Sequence, residues 1–458
     1  MNRIRRIAGL AMLASLGLLL GTASGVLAQA TASGQDTPAG GKQQYTMPEY
    51  NAEQACDADK VPTSKVKCLD DFVSRYPNSY LLKFVYPMYY QSYYQLKNWA
   101  KLIEYVDKYV ALADKMGAAE IGPNERYAAL YARAAAFYSL APADQATQAK
   151  GAIAAADAGL KLIADLKKPD TLDEKAFDEQ KKTGGIYLNG AAAQAASASK
   201  DYPNAIKYYK AVLALNPDDA ITNYNLGRAY MALTPPQTLD GFWSIARAVT
   251  SKTATQQQST QLKTYLRKLF ANYQQATCEN LVDAQLNELL QLAGSSADRP
   301  ATYKVVSSTD LNAAQKDMTI ASVIADLKAG GDKAKVTWLA SCGLEFPDVP
   351  GRLFEVVPAA TATDPIILKL AFVTDQTSFD AATAPDMEVK IVSQPEAAKL
   401  EKDSAPRFTG TLMSYDPDPT FMLHWDKAKV NEEDLPKEKT KTPAKKPAAK
   451  RPVKKPAA

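Results

Sequence analysis

The sequence is poor in the residues and motifs that enzymes most often use. Its 458 residues include a single histidine, His424, and none of the patterns G-x-S-x-G, H-E-x-x-H, G-x-G-x-x-G or the Walker A loop. His424 lies in a short β-branched run, where alternation places it on the face opposite to Leu423 and Trp425. A solvent-facing strand histidine is the expected role. We therefore expect no enzyme, no metal and no cofactor.

Cysteine is also scarce, with four residues and no C-x-x-C pair. This spacing disfavours a zinc site, and a reactive thiol has no evident activating partner. In an oxidising compartment the four residues would form disulfides, with three possible connectivities. We favour Cys56–Cys68, which closes a short loop at the start of the helices, and Cys278–Cys342, which would join the helical region to the C-terminal domain.

After the N-terminal region, no segment reaches the about 18 apolar residues that a membrane span requires. The N-terminal residues 1–30 combine three early arginines, an apolar stretch that is short for a span, and alanines at positions 28 and 30 spaced as A-x-A. This is the pattern of a secretory signal peptide. It predicts export to a bacterial-type periplasm or outer envelope, with a soluble protein after cleavage; the alternative is a retained anchor.

The net charge of +4 is concentrated at the two ends of the chain. The first six residues contribute three arginines, and residues 437–458 carry nine basic residues against one glutamate. The rest of the chain is therefore net acidic. For this reason the pI of about 8.5 does not predict a nucleic-acid-binding protein.

The C-terminal tail, residues 431–458, has a low-complexity Lys/Pro/Ala composition and is predicted to be disordered. Its cations are candidates for contact with an anionic envelope polymer or lipid surface, and a solvated spacer is the alternative. The tail lacks the aromatic residues that nucleic-acid binding would usually add. The candidate residues are Lys445, Lys446, Lys450, Arg451, Lys454 and Lys455.

Between the ends, the pattern predicts a flexible leader at residues 31–48 and a helical region at 49–293, where apolar residues recur every three or four positions. Its clearest part is residues 201–233, which read as two helices separated by Asn216-Pro217. Small, aromatic and glycine residues follow a period of about 34 residues there. The signature positions are Ala205, Tyr209, Pro217, Leu226, Gly227 and Tyr230.

These residues resemble the tetratricopeptide repeat (TPR), and with the signal peptide the chain resembles an exported bacterial TPR protein. The L-G-x-x-Y spacing of Leu226, Gly227 and Tyr230 is the one such repeats use. The resemblance implies an array of helical hairpins that binds a protein partner, with Leu and Tyr inside the hairpin and Gly where the helices approach.

Six residues are candidates for partner binding along such an array. Four belong to a tyrosine-rich segment with i, i+4 spacing, and packing within the hairpin is the alternative role of these rings. Two are asparagines at first-helix positions, where related arrays clamp a ligand backbone. The candidates are Tyr86, Tyr89, Tyr90, Tyr93, Asn189 and Asn223.

Residues 301–430 change to short β-branched runs separated by Pro-, Asp- and Ala-rich turns, with a helix expected before the strands. They predict a small, mainly β domain, a barrel or sandwich, and their order resembles the oligonucleotide/oligosaccharide-binding (OB) barrel. The fold class is therefore multidomain: an all-α TPR-like array, a β-rich domain and a disordered basic tail.

We predict a non-enzymatic envelope scaffold that mediates protein–protein interaction. The alternative is a protein that binds a polysaccharide or anionic lipid surface through the β-domain and the tail.

Overall fold

The computed structural model describes residues 44–361 and 363–436. Fifteen α-helices precede a five-stranded β-barrel in these ranges. They are α1 (Met47–Ala58), α2 (Pro62–Arg75), α3 (Leu82–Gln95), α4 (Trp99–Met116), α5 (Pro123–Ser139), α6 (Pro142–Leu162), α7 (Glu174–Ala198), α8 (Tyr202–Leu215), α9 (Ala220–Met231), α10 (Thr238–Thr250), α11 (Gln256–Gln274), α12 (Glu279–Ser295), α13 (Ser308–Gln315), α14 (Ile320–Ala329) and α15 (Gly331–Ser341).

Several predictions concern segments outside the described residues. The signal peptide, most of the leader and the six candidate cations of the tail belong to residues 1–43 and 437–458. None of the helices in the described part of the chain is both long and apolar enough to cross a bilayer.

The contacts divide the chain into two compact units. The first contains the described residues up to Arg267 together with Leu286–Lys304, and the second contains Lys268–Gln285 and the described residues from Val305 onward. The composition change predicted between residues 293 and 301 thus lies close to the boundary between Lys304 and Val305, where the chain enters the second unit for the last time. The helices α11 and α12 each contribute to both units.

Polar caps define where many of the helices begin. Asn98 before α4 and Asp173 before α7 each accept a hydrogen bond from a backbone N–H of the first turn. Such caps satisfy donors that have no partner within the helix. The same local rule sets the start of α8 at Asp201 and of α9 at Asp219.

Small side chains hold the middle helices close together. On α6, Ala152 and Ala156 are almost fully buried, and on α7 Ala191, Ala192 and Ala195 are buried as well. Because alanine side chains are small, the axes of α6 and α7 can come close together and the two helices pack along each other. This explains why an alanine-rich stretch forms a core here.

Two disulfides are present, with the pairing favoured from the sequence. Cys56–Cys68 joins the first two helices, with Cα atoms 5.4 Å apart. Cys278–Cys342 joins the start of α12 to the end of α15 within the second unit, with Cα atoms 5.9 Å apart. Both Cα distances lie within the range that disulfides require. The second bond closes a loop of 64 residues and therefore restricts the unfolded chain strongly.

The strands form one closed barrel in the order β1-β2-β3-β5-β4. All neighbouring pairs are antiparallel except β3 and β5. The first strand is long enough to pair with two neighbours. Its first half pairs with β4 and its second half with β2, which closes the barrel. The strands are β1 (Glu345–Val357), β2 (Ile366–Phe372), β3 (Met387–Ile391), β4 (Arg407–Asp416) and β5 (Met422–Val430).

Alternation along the strands fills the barrel interior. Trp425 is buried at its centre, with Phe346 and Phe408 placed edge-on to the indole at 5.8 and 5.2 Å. Leu423 is fully buried on the same face, whereas His424 between them points to the opposite face, as the alternation predicts. A short helix, α16 (Gln376–Ala381), lies between β2 and β3.

Candidate partner-binding groove

The clearest repeat consists of α8 and α9 and the turn between them. Asp201 accepts a hydrogen bond from the Asn204 amide at the start of α8, and Asp219 accepts one of 2.7 Å from the Thr222 amide at the start of α9. Asn216 is the C-cap of α8, and its backbone N–H donates to the Val212 carbonyl. The turn is therefore set by capping side chains that are local in sequence.

Gly227 is the point of closest approach between α9 and α10. A Cβ atom built on it would lie 2.7 Å from the Gly241 carbonyl oxygen and 2.6 Å from Cγ1 of Ile245. Cβ atoms do not approach other atoms that closely, so only glycine fits. The glycine of the L-G-x-x-Y spacing thus permits the contact between the two helices of this hairpin.

The other signature residues are mostly internal. Ala205 is fully buried, and Tyr209, Leu226 and Tyr230 are less than a tenth exposed. The Tyr209 hydroxyl lies 3.3 Å from the Ser197 hydroxyl of α7, which gives this buried phenol a hydrogen-bonding partner. These contacts show that the signature positions stabilise the hairpin stack.

A groove lies between α8 and α10, over α9. It includes a cavity of about 480 Å³ with mixed charged, aromatic and aliphatic walls. A second cavity of similar size, walled mainly by proline, Ile206 and Leu233, shares Lys210 and Tyr230 with the first. We call the two cavities together the groove. The lining of the first cavity is Lys210, Leu213, Ala214, Pro217, Asn223, Leu226, Tyr230, Asp240, Trp243, Ser244, Arg247, Ala297, Asp298 and Arg299.

One wall of the groove is a non-helical segment that follows α12. We call residues 296–303 the strap. The Arg247 guanidinium donates a hydrogen bond of 2.6 Å to the Ser296 carbonyl, and the Trp243 indole donates one of 3.2 Å to the Ala297 carbonyl. A second Arg247 nitrogen donates to the Pro217 carbonyl at 3.1 Å. Two side chains of α10 therefore hold consecutive backbone carbonyls of a segment that lies outside any helix or strand.

Side chains of the strap add contacts of their own. Arg299 donates to an Asp240 carboxylate oxygen at 3.0 Å, and it also donates to the Tyr303 carbonyl at 3.3 Å. The Tyr303 ring packs against Trp243 with centroids 5.8 Å apart, and burial raises the pKa of the Tyr303 hydroxyl. The strap is thus anchored at both ends against a single helix.

Lys210 is the cation at the junction of the two cavities. A hydrogen bond to Tyr230 raises the pKa of Lys210, and the negative charges of Asp240 and Asp298 act in the same direction. Lys210 is therefore firmly protonated at neutral pH. Arg247, Arg299, Asp240 and Asp298 also line the groove, which therefore presents charges of both signs beside an indole and an apolar compartment.

Sequence reasoning did not identify the groove. It assigned no role to Asp240, Arg247 or Lys210. A signal was present, because Asp240, Trp243 and Arg247 follow an i, i+3, i+7 spacing that places them on one face of α10. What the spacing could not show is which segment that face contacts.

The four candidate tyrosines lie on α3, whereas the groove is formed by α8, α9, α10 and the strap. Tyr89 is fully buried, donates a hydrogen bond of 2.7 Å to Asp70 and stacks on Tyr105 at 3.8 Å. Tyr90 is also buried, whereas Tyr86 and Tyr93 are half-buried. These contacts are those of hairpin packing, the role left open beside partner binding. A binding stripe on α3 stays a prediction.

The two candidate asparagines lie on different helices. Asn189 of α7 is 9% exposed and donates its amide to the Gly185 carbonyl one turn earlier. Asn223 of α9 is 2% exposed and donates to the Asp219 and Pro217 carbonyls. Asn223 lines the groove from below, whereas Asn189 does not belong to its lining. Their role as backbone clamps for a partner stays a prediction.

His424 is held between two carboxylates on the barrel surface. One ring nitrogen lies 2.8 Å from Asp416 and the other 3.5 Å from Glu388. No histidine, cysteine or acidic side chains within the described ranges form a group of three or more suited to a metal ion.

Both arginines of the barrel are paired with acidic side chains. Arg352 contacts Asp403 at 2.7 Å, and Arg407 contacts Asp434 at 3.0 Å. Lys369 likewise contacts Glu355. Pairing of this kind neutralises the local charge that an anionic surface would require.

Comparison with known families agrees with the helical geometry. The sequence model of the family described as TPR repeat matches residues 197–233, which comprise the end of α7 together with α8 and α9. No curated protein matches the chain. The chain thus contains a TPR repeat within an array of helices, followed by a five-stranded barrel. A TPR repeat indicates a role in protein–protein interaction.

Proposed function

We propose that this protein is an exported, non-enzymatic TPR scaffold of the bacterial periplasm that binds a protein partner through the groove of α8, α9 and α10. The observation that carries this proposal is the hold of Trp243 and Arg247 on two consecutive backbone carbonyls. Hydrogen bonds to main-chain carbonyls recognise an extended polypeptide whatever its side chains are. The same face is therefore suited to polypeptide binding.

Export is supported by two independent features. Residues 1–30 carry the signal-peptide pattern, and the two disulfides suit an oxidising compartment. We expect a mature protein that begins after Ala30. Intact mass measurement of the protein recovered from a periplasmic fraction tests this, and a protein retaining residues 1–30 would contradict cleavage.

The non-enzymatic part of the proposal is supported by the sequence, which lacks catalytic motifs, and by the surroundings of its single histidine. His424 lies on the barrel surface, where its ring nitrogens contact the carboxylates of Asp416 and Glu388. General acid–base chemistry needs a substrate site beside the titrating group.

Site-specific photo-crosslinking tests partner binding in the native envelope. A photoreactive residue replaces Ala214, an exposed alanine of the groove, and in a matched control it replaces Ala146, an exposed alanine of α6. We expect a defined protein adduct at position 214 and none at 146. Equal adducts at both positions, or none at 214, would refute the groove as the binding surface.

The alternative function, binding of a polysaccharide or anionic lipid surface, is supported by the nine basic residues of the tail. Because Arg352 and Arg407 of the barrel are already paired with carboxylates, we expect the tail to supply most of the electrostatic attraction. Sedimentation with anionic vesicles, with and without residues 437–458 and at two salt concentrations, tests it. Binding that survives both truncation and salt would contradict an electrostatic tail.

A further inference from the structure

The strap forms one wall of the groove and is held through its main chain, as a bound peptide would be. Its backbone bends and turns over residues 296–303, and its carbonyls at 296 and 297 are the acceptors for Arg247 and Trp243. Both donors come from the groove, so the recognition does not depend on the side chains of Ser296 and Ala297. Ala297 is exposed, which means that the contact is made by main-chain atoms.

Charge complementarity continues along the strap. Asp298 lies close enough to Lys210 to raise the pKa of the lysine, and Arg299 forms an ion pair with Asp240. The acidic Asp298 of the strap thus lies near a cation of the groove, and the basic residue that follows it pairs with an anion of the groove. Two small residues precede this pair and a proline follows it.

The strap leaves part of the groove unfilled. The first cavity retains about 480 Å³ with the strap in place, and the second, lined by Ile206 and Leu233, has no strap residue in its wall. A longer extended segment could therefore make all the contacts of the strap and in addition fill the apolar compartment. A partner would gain contacts that the strap lacks.

From these observations we infer that the strap is a built-in stand-in for the partner. The groove accepts in its place a peptide segment that presents two consecutive backbone carbonyls to Arg247 and Trp243 and continues with an acidic and a basic residue. This inference rests on the proposed function, because it names the partner chemistry of the same groove. A partner must first displace the strap. The apparent affinity of the partner is therefore lower when a smaller fraction of the protein has an open groove.

The test uses a fluorescent peptide with the sequence of residues 294–304, GSSADRPATYK, and the full-length protein. The strap-release variant Arg299→Gln removes the ion pair with Asp240 but leaves every groove side chain of α8, α9 and α10 unchanged. We expect the peptide to bind this variant about tenfold more tightly than the native protein, which corresponds to the loss of one charge-assisted hydrogen bond. A scrambled peptide is the matched control.

A second change identifies the groove as the binding surface. Adding Arg247→Met to the strap-release variant keeps an unbranched side chain of similar length but removes both donors to backbone carbonyls. We expect peptide affinity to fall about tenfold or more. Circular dichroism of each variant verifies the fold, and Trp243→Phe, which retains the aromatic ring, supplies an independent loss of one donor.

Three results would overturn the inference. They are equal binding of the peptide by the native and strap-release proteins, equal binding of the scrambled peptide, and dimers of the release variant without peptide binding, which would make the strap of a second copy the occupant. Crosslinking at position 214 separates this failure from failure of the proposed function. If a partner is captured at position 214 but the peptide does not bind, the proposed scaffold function stands and the inference about the strap is refuted.

Discussion

The contact between α9 and α10 makes Gly227→Ala a sharp test of the hairpin geometry. A Cβ at this position lies 2.7 Å from the Gly241 carbonyl oxygen, whereas ordinary contact begins at 3.4 Å. The two helices must therefore separate by about 0.7 Å, the difference between those distances, because a backbone oxygen cannot rotate away. Overpacking of this kind costs about 1–3 kcal/mol.

Two opposing terms decide the net effect of Gly227→Ala. Alanine gains about 1 kcal/mol over glycine within a helix. The clash is with main-chain atoms on a packed face, which places its cost in the upper part of the range. We expect a net loss of about 1–2 kcal/mol in the free energy of unfolding, and a midpoint lower by about 2–8 °C.

Thermal unfolding of the full-length protein, followed by calorimetry, measures this loss. Gly294→Ala is the matched control, since its Cβ would lie 3.6 Å from Thr250, an ordinary contact. We expect that variant to be unchanged or more stable by up to about 1 kcal/mol. If Gly227→Ala is as stable as Gly294→Ala, the close approach of α9 and α10 is refuted.

Three further predictions concern single features of the two units. Replacing Cys278 and Cys342 by serine should lower the free energy of unfolding by about 4 kcal/mol, because the bond closes a 64-residue loop; chemical denaturation checks this, and an unchanged midpoint would contradict it. Asp219→Ala removes the cap of α9 and should cost about 1 kcal/mol by the same measurement, with Asp219→Asn as the control that retains an acceptor. The hydrogen bond from Arg407 lowers the pKa of Asp434 below its ordinary 3.8, so this stabilisation is present above that value and is lost as pH falls through the folded-state pKa; Asp434→Asn should flatten the acid limb of the stability profile, and an identical limb would refute the pairing.

The repeat could be predicted from sequence because its signals are local. Asp201, Asn216 and Asp219 act on backbone groups within one turn, and the period of about 34 residues places Leu226 and Gly227 without reference to distant residues. The short β-branched runs similarly indicated strands from their own alternation. The order in which those strands close a barrel depends on pairings such as Glu345 with Thr411, which no local pattern contains.

The tyrosines show where local reasoning ends. Spacing of i, i+4 places Tyr89 and Tyr93 on one face of α3, but it does not decide what covers that face. In the structure Tyr105 of α4 stacks on Tyr89, and burial of the ring leaves it no surface for a partner. Only the packing of the neighbouring helix distinguishes a binding stripe from a core.

By itself, the sequence determined the helical repeat, the change to β-structure, the scarcity of catalytic groups and the favoured pairing of four cysteines. Each follows from period, capping, composition or short spacing. The tertiary structure alone decided that a loop after α12 lies in the groove. Its hydrogen bonds join residues 49 and 54 positions apart, Arg247 to Ser296 and Trp243 to Ala297. Contacts between such distant residues arise from the way the helices pack, and a segment without periodicity carries no local signal of them.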